Sequence, residues 1–225
     1  MRKMEFAILP TEWITGPDKH GLGSFKWQPR EGARNVAALM LLIVMSHHAD
    51  RHTGRMSITY DEFQAASGLS RGKIAAGLDK LEASGLIKRL SAQSSYLLVG
   101  IKEGLPWGKV PDKGLYSRDT IPAFHNFTLR SPVELDALKV YLAIIARRDN
   151  DTNWARMNYD KLSALSTVPV GRLKKALSFL TANGLVVIDH VPSQTRSEGI
   201  SNAYRMPQLH PYKNAGTMRV GAEGH

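Results

Sequence analysis

A repeat at an offset of 99 residues is the feature that most constrains the fold of this 225-residue chain. With Tyr60 placed on Tyr159, residues 56–87 align with residues 155–186 without a gap. The identical pairs are Tyr60/Tyr159, Asp61/Asp160, Ala65/Ala164, Ser67/Ser166, Gly72/Gly171, Leu78/Leu177, Leu81/Leu180, Gly85/Gly184 and Leu86/Leu185. Because apolar positions and turn residues keep one register, we interpret the chain as two copies of one domain, each of roughly 70 to 80 residues.

Each copy carries the same predicted order of elements. An apolar helix comes first, at residues 33–48 in copy one and 132–147 in copy two. A polar loop, a short helix, a tight turn and a long amphipathic helix follow. Two extended segments around a polar loop then predict a hairpin at the end of each copy.

Capping residues support these helix boundaries. Thr59 and Glu62 have the spacing of a capping box at the first short helix, and Asn158 is the equivalent cap in copy two. Gly85 and Gly184, each followed by leucine, have the position of glycine C-caps at the ends of the long helices.

A helix, a helix-turn-helix and a hairpin in this order resemble the winged helix-turn-helix superfamily. The phrase "SRGKIAAGLDKLEASGLIKRL" is similar to the recognition helix and first wing strand of many bacterial regulators and replication proteins. The predicted fold class is therefore α+β, mainly α, with two tandem winged helix-turn-helix domains.

The predicted boundaries follow from the repeat. They are an N-terminal extension packed on the first domain at 1–32, winged helix domain 1 at 33–101, a linker at 102–131, winged helix domain 2 at 132–206 and a mobile tail at 207–225. We expect the linker to be irregular because it contains several Gly and Pro turn signals.

Two glycines in the first long helix have different predicted roles. Helical spacing places Gly77 on the buried face, and its counterpart Ala176 is also small, so we expect close helix packing there. Gly72 falls on the outer face and recurs as Gly171. A functional role for these outer glycines is the alternative to a solvated helix face that happens to be basic.

The resemblance implies that the outer faces of the long helices and the wings contact DNA. Small residues permit close approach to the major groove, alanine methyl groups can contact thymine, and cations can bind guanine edges or phosphates. The predicted DNA-binding residues are Ser70, Arg71, Gly72, Lys73, Ala76, Lys88, Arg89, Gly171, Arg172, Lys174, Lys175, Gln194 and Arg196.

Composition narrows the class of protein. The formal net charge is +10 and the excess is spread over both copies, which favours polyanionic partners. The absence of cysteine excludes disulfides, zinc–thiolate sites and cysteine nucleophiles, and it favours a reducing compartment. We recognise neither a signal peptide nor an apolar run long enough for a membrane span, and expect a cytoplasmic protein associated with a nucleoid or plasmid.

Sequence patterns for catalysis are weak. The stretch "HHADRH" holds His47, His48, Asp50 and His52, but no matching metal ligands stand out elsewhere. Gly21 and Gly23 form only part of a dinucleotide-binding pattern, and no phosphate-binding "GxxxxGK[ST]" motif occurs. We therefore predict no enzyme activity, no metal and no cofactor.

The leading expectation is site-specific binding of double-stranded DNA by two recognition helices in successive major grooves, with a linked pair able to read an asymmetric site. A tandem winged-helix chain without an effector domain resembles plasmid and phage replication initiators, which often repress their own promoters. A transcriptional regulator of a mobile element and a protein-binding winged-helix scaffold are the alternatives. Self-association or a partner in the replication machinery would be consistent with the initiator hypothesis.

Overall fold

The computed structural model describes residues 6–16, 21–150, 152–192 and 200–209, with the backbone alone at 190–192 and 200–201. The helices are α1 (Glu12–Thr15), α2 (Gly32–His48), α3 (Tyr60–Ser67), α4 (Arg71–Ala83), α5 (Pro132–Arg147), α6 (Tyr159–Ser166) and α7 (Val170–Ala182). The strands are β1 (Phe6–Pro10), β2 (Arg55–Ser57), β3 (Ile87–Arg89), β4 (Ser95–Leu98), β5 (Trp107–Pro111), β6 (Ala155–Arg156), β7 (Val187–Pro192) and β8 (Ile200–Arg205). Short 3-10 helices lie at Leu22–Ser24 and Pro122–Asn126. The predicted mixed α+β class, mainly helical, is confirmed at this level.

The same order of elements occurs twice. The first half, residues 32–98, runs α2, β2, α3, α4, β3 and β4, and the second half, residues 132–205, runs α5, β6, α6, α7, β7 and β8. The short and long helices of the two halves begin and end 99 positions apart, since 60 and 159, 67 and 166, 71 and 170, and 83 and 182 correspond. The repeated sequence therefore adopts repeated local structure.

Each half has a small antiparallel sheet in which the last strand lies in the middle. The strand order is β2-β4-β3 in the first half and β6-β8-β7 in the second. Met56 pairs with Tyr96, and Ala155 pairs with Tyr204. Both tyrosines are buried, so the central strand of each sheet anchors the hairpin to the helices.

The predicted caps set the helix ends. Thr59 and Glu62 form the reciprocal capping box of α3, and the Asn158 side chain accepts a hydrogen bond from the Lys161 backbone N–H in α6. Gly85 and Gly184 adopt left-handed φ values of 70° and 66°, conformations that glycine reaches without strain. The chain therefore turns from each long helix into its first hairpin strand at the predicted residue.

One hydrophobic core joins the two halves. Helices α2 and α5 pack against each other and against the long helix of their own half. Residues 35–46 of α2 and 134–145 of α5 are buried without interruption, which is the pattern of a helix covered on all sides. The apolar run at 36–46 is thus a core helix of the protein. In the ranges described above, every helix is too short or too polar to cross a lipid bilayer.

The segments outside the repeats differ from expectation. Strand β5, within the predicted irregular linker, pairs with β1 over five residues, from Phe6↔Pro111 to Pro10↔Trp107. The N-terminal extension contacts both halves, because β1 lies on α2 whereas α1 contacts α5 and the first 3-10 helix contacts α6. In the predicted mobile tail, Leu209 is buried, and residues 210–225 lie outside the described part. Pairing with β1 thus orders part of the predicted linker, and the start of the predicted tail packs on the hydrophobic core through Leu209.

Candidate nucleic-acid interface

The first turns of α4 and α7 are exposed and lack side-chain capping contacts. Ser70 occupies the N-cap of α4, and its side chain accepts no hydrogen bond from the helix. Pro169 is the N-cap of α7. Free backbone N–H groups at such a helix start favour an anionic partner.

Gly72 and Gly171 lie on the outer sides of their helices and Gly77 lies on a packed side, as predicted. A methyl group added at Gly72 or Gly171 would meet no heavy atom within 4 Å. A methyl group added at Gly77 would lie 2.7 Å from Leu41 Cδ1 and 3.1 Å from the backbone of α2. Gly77 therefore serves packing, whereas Gly72 and Gly171 leave an open surface on the outer side of their helices.

The second long helix presents free positive charge. Lys174 and Lys175 are exposed on α7 and, in the part of the chain described here, neither forms a hydrogen bond or an ion pair. Gly171 lies one turn before them on the same helix. This arrangement can approach a polyanion closely, with a small residue at the contact and two unpaired ammonium groups beside it.

Val170 is a site residue that the sequence reasoning missed. It is the first residue of α7 and is 44% exposed, more than any other large apolar residue among those described. The repeat places it opposite Arg71. The repeat alignment was the available signal, because it matches Val170 with a predicted DNA-binding residue. A thymine methyl group would be a suitable partner for its side chain.

Arg172 is paired within the second half. Its guanidinium donates to the carboxylate of Asp136 on α5 at 2.5 and 2.7 Å, and Asp136 is buried. Burial raises the pKa of Asp136, and the Arg172 charge opposes that rise. The predicted role of Arg172 in contacting DNA therefore competes with a contact between α5 and α7.

Lys139 is a buried cation in the same cluster. Its side chain is 6% exposed, and burial, with the nearby charges of Arg172 and Lys26, lowers its pKa from 10.5 to about 8 against the opposing effect of Asp136. Below pH 8 the lysine is charged in both the folded and the unfolded chain, so the cost of burying the charge is fully present. Between pH 8 and 10.5 the unfolded chain holds more protons, so stability from this group rises with pH.

We therefore expect Lys139→Met to raise the free energy of unfolding at pH 7 by about 1 to 2 kcal/mol, because a buried charge is replaced by an apolar chain of similar length. The advantage over the parent should shrink as the pH rises from 8 to 10.5. Urea unfolding at pH 7 and pH 10 measures both effects, with Lys102→Met as the exposed control. A variant less stable than the parent at pH 7 would contradict this account.

In the first half, Arg71 is paired but exposed. Its guanidinium lies 2.6 Å from the Asp61 carboxylate and 6.0 Å from the Tyr60 ring centroid, and both members of the ion pair are mostly exposed. An exposed pair of this kind is weak, so exchange of Asp61 for a phosphate would cost little. Lys73, two residues further, is exposed and has no hydrogen-bond or ion-pair partner in the described chain.

One of the two predicted DNA-binding cations of the first wing is paired within the protein. Arg89 donates to Glu82 and Asp79 on α4 at 2.5 and 2.7 Å, and these two carboxylates raise its pKa against the effect of burial. Lys88 beside it is exposed. Lys88 is therefore the freer of the two cations in the predicted first wing.

Ala76, a predicted DNA-binding residue on α4, is only half-exposed. Its carbonyl accepts a hydrogen bond from Arg34 Nε at 3.2 Å.

The last two predicted DNA-binding residues belong to the predicted second wing. Gln194 and Arg196 lie outside the described residues, between β7 and β8. Their predicted contacts with DNA stay predictions.

The histidine-rich stretch holds the end of α2 and the following turn. His47 Nδ1 and Nε2 each lie 2.8 Å from a carbonyl oxygen, of Ile43 and Pro111, and burial lowers the pKa of this imidazole. Asp50 accepts hydrogen bonds from His52 N and Thr53 N. In the described ranges no group of three or more histidine, aspartate or glutamate side chains is arranged to hold a metal ion.

Comparison of the chain with protein-family models and with curated proteins finds no match to either. The functional argument therefore starts from the site itself.

Proposed function

We propose that this chain is a site-specific double-stranded DNA-binding protein built from two tandem winged helix-turn-helix domains, with α4 and α7 as the recognition helices. The observation that carries the proposal is the glycine at the second position of both helices, facing open space and neighbouring exposed cations. The same order of elements supports the winged-helix hypothesis, because in each half a hairpin follows the long helix and pairs with a strand that precedes the short helix.

The two helix starts differ in the chemistry that they offer to DNA. In α7, Lys174 and Lys175 would bind phosphates, while Val170 and Gly171 would lie against base edges. In α4, Arg71 and Lys73 have the reach for guanine edges or phosphates. The second half would therefore bind phosphates more strongly, whereas the first half would contact bases through more polar side chains.

Replication initiation with autoregulation, in a plasmid or phage, is the biological role that we favour, and transcriptional control of a mobile element is the second candidate. Both roles need a chain that recognises one site through two linked modules. Genomic neighbourhood separates them, since partition genes and iterated repeats beside the gene favour initiation.

Selection of bound fragments from a random duplex pool, followed by footprinting, tests the proposal. We expect one preferred site with two protected major grooves on one face of the duplex, roughly 10 base pairs apart. Affinity should fall steeply with salt because phosphate contacts release counterions. Equal affinity for all sequences would refute site specificity, and recovery of a stoichiometric protein from nuclease-treated lysate, with no DNA affinity, would favour a protein-binding scaffold.

A further inference from the structure

Two connecting segments of matching position precede the central helices. We name residues 21–27, before α2, the first connector, and residues 120–126, before α5, the second connector. They lie 99 positions apart, and each contains one of the 3-10 helices. Each contacts the turn between the short and long helices of the other half.

The second connector lies against the turn of the first half. The Ile121 backbone N–H donates to the Ala66 carbonyl at 3.0 Å, and Thr120 Oγ1 donates to the Ala65 carbonyl at 2.9 Å. A methyl group added at Gly68, the left-handed residue that ends α3, would lie 3.7 Å from the His125 ring. These contacts join half two to the start of the proposed first recognition helix.

The first connector makes the reciprocal contact. A methyl group added at Gly23 would lie 3.7 Å from Thr167 Cγ2, and Thr167 is the left-handed residue that ends α6. Thr167 and Gly68 are 99 positions apart, and so are Lys26 and His125. His125 also shares a groove with Ser70 and Lys73 at the start of α4 in half one.

This reciprocity identifies the symmetry that relates the halves. If element i of one unit contacts element j of the other, and j also contacts i, the interface is isologous and the units are related by a two-fold axis. A head-to-tail arrangement would instead place one connector on a turn and leave its counterpart without that contact. The mutual packing of α2 and α5 places the approximate axis between these two counterpart helices.

We infer that one chain recognises an imperfect inverted repeat, as a covalent counterpart of a symmetric dimer. This inference rests on the proposed DNA-binding function and specifies its target. Recognition helices related by a two-fold axis match the two-fold symmetry of duplex DNA, so the half-sites have opposite orientation and lie about one helical turn apart. The turn that precedes each recognition helix lies beside a connector of the other half, and in this proposal one duplex spans both helix starts.

The inverted repeat in the DNA must be imperfect because the recognition helices α4 and α7 differ at matched positions. Arg71 corresponds to Val170, and Ala75 and Ala76 correspond to Lys174 and Lys175. A guanine suits Arg71, whereas a thymine methyl group suits Val170. The two half-sites should therefore be similar in position and different in base preference.

Synthetic duplexes made from the two footprinted half-sites test this inference with the full chain. The half-sites are placed as an inverted repeat, as a direct repeat, and as an inverted repeat with five extra base pairs between them. We expect the first to bind at least about tenfold tighter than the others, at one chain per duplex, measured by fluorescence anisotropy and sedimentation. A direct repeat bound equally well or better, or one chain holding two duplexes, would overturn the inference while specific binding remained.

Single substitutions assign each half-site to its reader. Arg71→Val should lower protection in one half-site, and Val170→Ala should lower it in the other, with the remaining half retained. Loss spread evenly over both half-sites in either variant contradicts reading by separate helices. If none of the duplexes binds better than a scrambled sequence, the proposed site-specific function fails together with the inference.

Discussion

Replacement of Lys174 and Lys175 together by alanine is expected to weaken binding to every duplex, specific or not, by about 10- to 100-fold near 0.1 M salt. Both lysines are exposed on the outer side of α7 and have no protein partner in the described chain. Each therefore contributes its full charge to a bound phosphate, and no internal ion pair is broken when it is removed.

The salt dependence gives the more specific readout. Each lysine that neutralises a phosphate contributes about 0.9 to the slope of log affinity against log salt, so the double variant should lose about 2 units of slope. The matched control is Lys102→Ala with Lys113→Ala, which removes the same charge from exposed positions between the two halves. An unchanged slope in the Lys174/Lys175 variant would place these lysines outside the interface.

The contrast between Lys174 and Arg172 shows what sequence could and could not predict about the site. Both follow the same glycine, and both fall on or beside the outer face in a helical projection. The ion pair between Arg172 and Asp136 joins residues on different helices, 36 positions apart. Helical periodicity describes one helix at a time, so it cannot identify a partner on a neighbouring helix.

Local signals predicted the helices well for a physical reason. The capping box at Thr59 and the C-terminal glycines Gly85 and Gly184 act within one turn of the residues whose hydrogen bonds they satisfy. Pairing of β1 with β5 depends instead on segments about 100 residues apart. The Gly and Pro residues around β5 predicted an irregular linker, because the strand that pairs with β5 lies in the N-terminal extension and gives no local signal near β5.

The repeat also supplied information beyond the local elements. Gly23 lies beside Thr167 and His125 lies beside Gly68; Thr167 and Gly68 are matched turn residues, and Gly23 and His125 belong to the two matched connectors. Equivalent positions are visible in the repeat and their contacts only in the fold, so the proposed two-fold relation depends on both.

Replacement of Gly77 by valine is expected to lower the free energy of unfolding by about 3 kcal/mol, because a branched side chain would overpack the contact between α4 and α2. The first carbon alone would lie 2.7 Å from Leu41 Cδ1 and 3.1 Å from the Ala37 carbonyl carbon. The backbone of α2 cannot yield easily, since α2 is also packed against α5. Urea unfolding followed by circular dichroism measures the loss.

Gly72→Ala is the matched control in the same helix, and its expected effects are opposite. Open space surrounds Gly72, so alanine should raise the free energy of unfolding by up to about 1 kcal/mol through its better helix propensity. The same methyl group would stand between the helix and the floor of the major groove, so DNA affinity should fall although stability rises. Gly77→Val should lower stability, whereas the fraction of the variant that stays folded should keep its affinity for DNA. Equal stability of Gly77→Val and the parent would refute the packing role, and unchanged DNA affinity of Gly72→Ala would remove the outer glycine from the interface.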